Sequence, residues 1–383
     1  MAEFGPVTCA GCGLLCDDVS VETSGDGVRL RPQCPLGTQW FSERMSRPDE
    51  APATIDGETA DLESAIVRAA ELLRGARRLW VQGFEHATVE DARAAVALAD
   101  RLGALITIGA PAEPWPGAPA APLRGVSTAT LGEIRDRSRL VVIWREDPET
   151  THPRLLERLG FGREGPTLVV IDNADTATAG RAGLQLRWPR ERDLEAITTM
   201  HVLQQKIPAQ ANELEEQLRG LLKRLQAVPH AAFVYGVGLT AGAGGQRRAL
   251  ALHELVRALS HERHVVTLEL PRAPGTRSAD DVLAWQSGYS GSVDFAFGHP
   301  ELVTATEPPD DVDVTLRVES GPAGSLVTGP GAEVRIRTAA AGVEAGGTVH
   351  RLDGVPLTLQ APMAGDAPTA ATLLTRLLDQ VQR

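Results

Sequence analysis

The sequence predicts an α/β protein with parallel sheets, and three observations lead there. Short, near-continuous apolar runs such as "RLVVIW", "TLVVID", "AAFVYG" and "HVVTLEL" recur along the chain, as strands buried on both faces do. Amphipathic helical stretches alternate with them, which is the rhythm of crossover units. All four cysteines fall within the first 34 of 383 residues, setting apart a small N-terminal segment of different character.

The elements follow in order. "RPDEAPATIDGETA" is a polar, Pro-containing connector after the cysteine segment. "DLESAIVRAAELLRGARR" places Leu62, Ile66, Ala69 and Leu73 on one helical face, with Asp61 as N-cap and Arg74, Arg77 and Arg78 at the C-terminal end, where cations suit the helix dipole. "RLWVQG" is a strand ending at Gly83. In "TVEDARAAVALADRLG", Thr88 and Asp91 have capping-box spacing and Gly103 is the stop, because glycine accepts the left-handed turn that ends a helix. The strand "ALITIG" follows. The alternation continues through the helices "RDLEAITTMHVLQQK", "NELEEQLRGLLKRLQ" and "GQRRALALHELVRALS". From about residue 300 it thins into "VDVTLRV", "AEVRIRT" and glycine-rich turns, and closes on the amphipathic "AATLLTRLLDQVQ". The expected division is a Cys-rich metal-binding segment at 1–55, α/β domains at 56–187 and 188–300, and a truncated C-terminal segment at 301–383 packing on the α/β core.

Composition narrows the partners. A net charge of −12 with no Lys/Arg block argues against nucleic acid or an anionic membrane. The apolar runs are far shorter than the roughly 20 residues that span a bilayer. "MAEFGPVTC" has neither the basic nor the apolar region of a signal peptide, so a cytoplasmic location is expected.

The cysteines have the spacing C-x2-C-x3-C-x17-C, formed by Cys9, Cys12, Cys16 and Cys34. A C-x2-C followed one helical turn later by a third thiol can wrap three sulfurs around one point, with the fourth arriving from a distant loop. Gly11 and Gly13 interleave them, as backbone bending around a metal requires. Four thiolates suit tetrahedral zinc or a [4Fe–4S] cluster. Two disulfides or unliganded core cysteines are the competing readings, and a reducing compartment disfavours the first.

"VTCAGCGLLCDDV" followed by Cys34 resembles the N-terminus of the B-type subunit of formylmethanofuran dehydrogenase, a molybdopterin/tungstopterin oxidoreductase. The likeness continues in order through "LVVIWREDPETTHPR", "FVYGVGLTAGAGGQRRAL", "AWQSGYSGSVDF" and "GVEAGGTVHRLDGVPL". It implies a molybdopterin-oxidoreductase-like fold in which the four cysteines carry a [4Fe–4S] cluster, with zinc as the alternative. The family's redox subunit also ligates its metal through a Cys or selenocysteine followed by His, expected after "ALITIG". Here the stretch from Ala110 to Gly125 reads "APAEPWPGAPAAPLRG" with Glu113 its sole ionisable side chain before Arg124, and no cysteine remains elsewhere. Arg272 resembles the family's active-site arginine, but its flanking residues differ.

A subunit that keeps the scaffold and loses the redox centre resembles the B-type subunit of the bacterial formyltransferase/hydrolase complex. That resemblance implies a non-catalytic scaffold without molybdopterin or tungstopterin. Its partners would be the A-type amidohydrolase, the C-type subunit and the D-type formyltransferase of that complex. Together they would convert formyl-tetrahydromethanopterin to formate through a methanofuran-type carrier. A working tungsten or molybdenum dehydrogenase is the alternative.

Other candidates have plainer readings. "GVGLTAGAGG" could cradle a phosphate, yet it departs from G-x-G-x-x-G and reads as a structural turn. His152 in "THPRLLERLG" opens a helix, in a capping or packing role. His261 and His264 stand at a helix-to-strand junction. No G-x-S-x-G, H-E-x-x-H or G-x-x-x-x-G-K-[ST] occurs, so no autonomous catalytic residue is expected.

Overall fold

The computed structural model describes residues 2–24, 27–45, 51–108, 125–162, 165–208, 211–271, 275–303, 309–320, 329–363 and 365–382. The chain divides into two compact units. The first comprises residues 1–115, 273–351 and 356–383, and the second 116–272 with 352–355. The expected α/β class with parallel sheets is borne out.

In the first unit, Ala2–Val7, Val19–Ser24 and Gly27–Arg31 form a small antiparallel sheet. The cysteine-bearing loop joins the first two strands, and the helix Pro35–Met45 follows the third. The main sheet has eight strands, in the spatial order Glu301–Val303, Ser292–Asp294, Leu105–Thr107, Leu79–Gln82, Val314–Glu319, Ala332–Arg337, Ala53–Ile55 and Glu58–Ala60. Its four central strands are mutually parallel. The helix Leu62–Gly75 begins where Asp61 accepts the Ser64 N–H, and it buries Ala65, Ile66, Ala69, Ala70 and Leu73. Val89–Leu102 begins with the expected capping box, Thr88 and Asp91 exchanging hydrogen bonds, and ends on left-handed Gly103 at φ 64°.

The C-terminal segment departs from expectation. Val314–Glu319 is buried along its length and pairs with Leu79–Gln82, so residues beyond 301 supply the middle of the sheet, while the helix Ala370–Gln382 packs on the core as expected. The alternating polar residues of this strand suggest a peripheral position. Their charges are instead satisfied within the sheet: Arg317 Nη1 donates to Glu333 at 3.1 Å and Arg335 Nε to Glu319 at 2.5 Å. Burial of charge is tolerated when it is paired in this way. Likewise the 56–187 and 188–300 segments each contribute strands to both main sheets, because the chain leaves the first unit and returns to it.

The second unit has a five-stranded, wholly parallel sheet in the order Leu184–Leu186, Thr167–Ile171, Leu140–Trp144, His230–Tyr235 and His264–Glu269. Asp193–Gln204, Glu213–Gln226 and Gly245–Leu259 pack their leucines onto it. Burying each such side chain is worth roughly 1.5–3 kcal/mol, which is what a helix with modest intrinsic propensity needs to persist.

Gly83, just after Leu79–Gln82, has φ 116°, and a Cβ there would lie 1.9 Å from the Val318 carbonyl oxygen. Gly83→Ala should therefore destabilise the protein by about 3 kcal/mol or more, through strain and overlap together. Gly57→Ala, also at positive φ (86°) but with no atom within 4 Å of the new methyl, should cost about 1 kcal/mol. Urea midpoints test the pair, and equal midpoints would show that the close approach carries no constraint.

Candidate functional site

Local backbone geometry folds the segment that carries Cys9, Cys12 and Cys16. The Cys9 N–H donates to the Cys16 carbonyl at 2.8 Å and the Leu15 N–H to the Cys12 carbonyl at 3.2 Å, while Leu15 takes the left-handed conformation at φ 43°. These bonds fold residues 9–16 into a knuckle. Cys34 arrives with the start of the Pro35–Met45 helix, where a Cβ on Gly37 would stand 3.1 Å from Cys9 Sγ and 3.7 Å from Cys34 Cβ. Glycine at 37 is thus what lets the two sulfur-bearing segments approach. Thr8 anchors the knuckle: its N–H donates to Gln360 at 2.9 Å and its hydroxyl to the Thr358 carbonyl at 3.0 Å.

None of the four cysteines is joined in a disulfide, so the disulfide reading does not describe this fold. The Gly11 N–H donates to Cys9 Sγ at 3.4 Å, and the Leu14 backbone hydrogen-bonds to Cys12. Burial pushes the Cys12 thiol up to about 12, with Cys16 and Cys34 adding to the rise. Burial likewise raises Cys9, which also feels the other three cysteines. Cys9 and Cys12 thus resist ionisation while accepting N–H···S bonds. A cation beside these sulfurs would be needed to draw them into thiolate form. Among the described residues, however, no three His, Cys, Asp or Glu side chains stand converged as ligands of one ion.

The helix carrying these neighbours is tied to the main sheet. Arg44 Nη2 donates to the Ser320 carbonyl at 2.5 Å, just beyond Val314–Glu319, and its guanidinium lies 5.1 Å from the Trp40 ring. Trp40 in turn packs against His86, with centroids 4.9 Å apart. Burial, then the Arg44 charge, push the His86 imidazole down to about 3. It is neutral at any physiological pH and serves as a ring, not as an acid.

The second unit has its own focus. Ligands in open α/β sheets sit at the carboxyl ends of strands where the connections reverse direction, here between Leu140–Trp144 and His230–Tyr235. Arg145 leaves the first of these strands at φ 55° and is held on every side. Its Nε and Nη2 donate to Asp193 at 3.0 Å, its Nη1 to Asn173 at 3.0 Å and its Nη2 to the Trp188 carbonyl at 2.7 Å. Asp193 is fully buried, and it also accepts the Trp144 and Trp188 indole N–H groups at 3.1 and 2.8 Å.

The next residue, Glu146, accepts the Gly238 N–H at 2.6 Å, occupying a donor of the "GVGLTAGAGG" loop. Arg190 and Arg248 each donate to the Ala241 carbonyl at 2.7 Å. A Cβ on Gly238 would lie 1.5 Å from the Arg145 carbonyl oxygen. This glycine loop is thus a close-packed turn filled by the chain's own groups. His152 is buried between two short helical turns, and burial lowers it to about 4, which suits its packing role. His264 stacks on His230 with centroids 6.2 Å apart. Arg272 and residues 110–124 lie outside the described residues.

No protein-family model matches the chain. Its sequence is 26% identical over 404 aligned positions to the B-type subunit of tungsten-containing formylmethanofuran dehydrogenase 2 of Methanocaldococcus jannaschii, covering 92% of each chain. The counterpart in Methanococcus maripaludis is 24% identical, covering 94% of each. The chain is similar along its length to this formylmethanofuran dehydrogenase subunit. This bears out the resemblance read from "VTCAGCGLLCDDV" onward. Among solved structures, a chain of the formyltransferase/hydrolase complex of Methylorubrum extorquens, determined with methylofuran, superposes with a TM-score of 0.69 at 23% identity, over 86% of this chain and 98% of that one. The fold is the one expected from the resemblance.

Glu146 gives the second unit a pH signature. Burial raises its carboxyl to about 7 against the Gly238 N–H, which lowers it; Asp172 and Asp147 also raise it, and Arg190 lowers it. A folded-state value above the unfolded one contributes stability fully present below about pH 4.5 and lost as pH rises through about 7. Relative to Glu146→Gln, the unfolding free energy of the parent should therefore fall by about 3 kcal/mol across that window and run parallel above it. Parallel curves throughout would remove this assignment.

Proposed function

We propose that this chain is the non-catalytic B-type subunit of a formyltransferase/hydrolase complex in one-carbon oxidation. In that complex formyl-tetrahydromethanopterin is converted to formate through a methanofuran-type carrier. The observation that carries the reading is the cysteine inventory of a chain that resembles its dehydrogenase relatives over nine-tenths of its length. Every cysteine lies in the N-terminal knuckle and its Cys34 partner, so no thiolate is left to ligate a pterin-bound metal. The self-filled glycine loop agrees with this, since Glu146 sits on one of its backbone donors.

In this reading Cys9, Cys12, Cys16 and Cys34 hold a [4Fe–4S] cluster, with zinc as the alternative, and the centre is structural. The partners are the A-type amidohydrolase, the D-type formyltransferase and the C-type subunit, and neither nucleic acid nor membrane is involved. Among the described residues no helix is long and apolar enough to cross a membrane. The names of the archaeal relatives favour a second reading, a tungsten-dependent dehydrogenase subunit, and pterin content separates the two.

Two outcomes are expected. Anaerobically purified protein should contain one cluster or one zinc per chain, and Cys12→Ser should lower that content severalfold and loosen the N-terminal sheet, because metal binding is linked to folding. Protein holding neither iron nor zinc would sink the metal assignment. The chain should co-purify with hydrolase and formyltransferase subunits yet show no formyl transfer, formyl hydrolysis or dye-linked formate chemistry when isolated. Stoichiometric pterin with tungsten or molybdenum would promote the dehydrogenase reading instead.

A further inference from the structure

Only two of the 38 Lys and Arg residues in the chain are lysines, Lys206 and Lys223. Both line the same open groove of ≈ 470 Å³ in the second unit. Its floor is apolar, built from Leu203 at the end of the helix Asp193–Gln204 and Leu222 of Glu213–Gln226. Ile207 extends that floor outward and is half exposed, one of few large apolar side chains so placed among the described residues. Arg219 adds a third cation, although an ion pair with Glu215 takes part of its charge. Among the described residues no carboxylate lines the groove, in a chain whose net charge is −12.

The chemistry of these walls selects an occupant. An apolar floor rimmed by cations fits a segment that offers an apolar side chain between carboxylates. A phosphate backbone would leave the leucine floor unfilled, and a purely apolar helix would leave the ammonium groups unpaired. Lysine suits an adaptable partner, since an ammonium on a flexible stem pairs with a carboxylate from several directions, unlike the fixed fork of arginine. Helix C-termini do favour cations, which accounts for Lys223 in the last turn of its helix. It does not account for Lys206, which lies beyond the end of its own helix in the left-handed conformation at φ 61°.

We infer that this groove docks an acidic, leucine-containing peptide segment of a partner subunit. The inference rests on the reading of the chain as part of a hetero-oligomer, and it names the surface and the chemistry of one contact. Interfaces of this kind use rim charges for steering and register, and an apolar centre for affinity.

Two measurements on the full-length chain test it. In the first, a fluorescein-labelled peptide of alternating glutamate and leucine pairs is titrated against the isolated protein. Binding should be saturable, and K206Q/K223Q should weaken it about tenfold, the scale of two exposed charge pairs. K206R/K223R should retain most of it. Equal binding by K206Q/K223Q, or by a peptide with serine in place of leucine, would overturn the proposal, as would equally good competition by inorganic polyphosphate. In the second, the native complex is treated with a carbodiimide, which joins carboxylates to amines in contact. Inter-subunit cross-links made through this chain's lysines should be found at Lys206 or Lys223, and those links should vanish in K206R/K223R. A complex that co-purifies intact with neither lysine coupled would overturn the docking site and leave the assembly reading standing. A chain that binds the peptide yet purifies alone would do the reverse.

Discussion

The parallel pairing of Leu79–Gln82 with Val314–Glu319 is the constraint on which the first unit depends. Two segments more than 200 residues apart in sequence become adjacent strands, and Gly83 permits the approach because it has no Cβ. Closing a contact that distant costs chain entropy before it returns any energy. The return comes from a strand buried along its length and from a ladder of paired Arg and Glu side chains. Once closed, the pairing fixes Ser320, on which Arg44 bears, and so holds the helix that follows Cys34.

The second unit solves a similar problem with charge. Arg145 and Asp193 are both removed from water, and each would be costly alone. Two indole N–H groups, an amide oxygen and a backbone carbonyl complete their hydrogen bonding. Such a fully satisfied network rigidifies the ends of the central strands, and the glycine loop beside it is correspondingly tight. The arrangement explains how a loop that looks suited to phosphate can be a structural turn.

Much of this was legible in the residues. Asp61, Thr88 with Asp91, and Gly103 mark helix ends because capping is a local transaction between a side chain and nearby backbone groups. The apolar runs identify the parallel strands because burial on both faces leaves no room for alternation. The central position of Val314–Glu319 was not legible, since its Thr315, Arg317 and Glu319 resemble a half-exposed edge unless their partners on the neighbouring strand are known. The cysteine spacing announced the knuckle, but nothing local announced that Glu146 would lie on Gly238, a contact set by strand order. Nor could the two lysines be seen to line one groove, since they stand on different segments until the helices pack.

The bond between Glu146 and Gly238 also bears on how this chain would meet small anions. A carboxylate attached to the same fold as its donor competes at an effective concentration that no dilution reduces. A free anion arriving at that N–H must displace a group that is always present and already desolvated. The loop is therefore occupied by an internal ligand, and its selectivity among external ones is set first by what it costs to evict its own side chain.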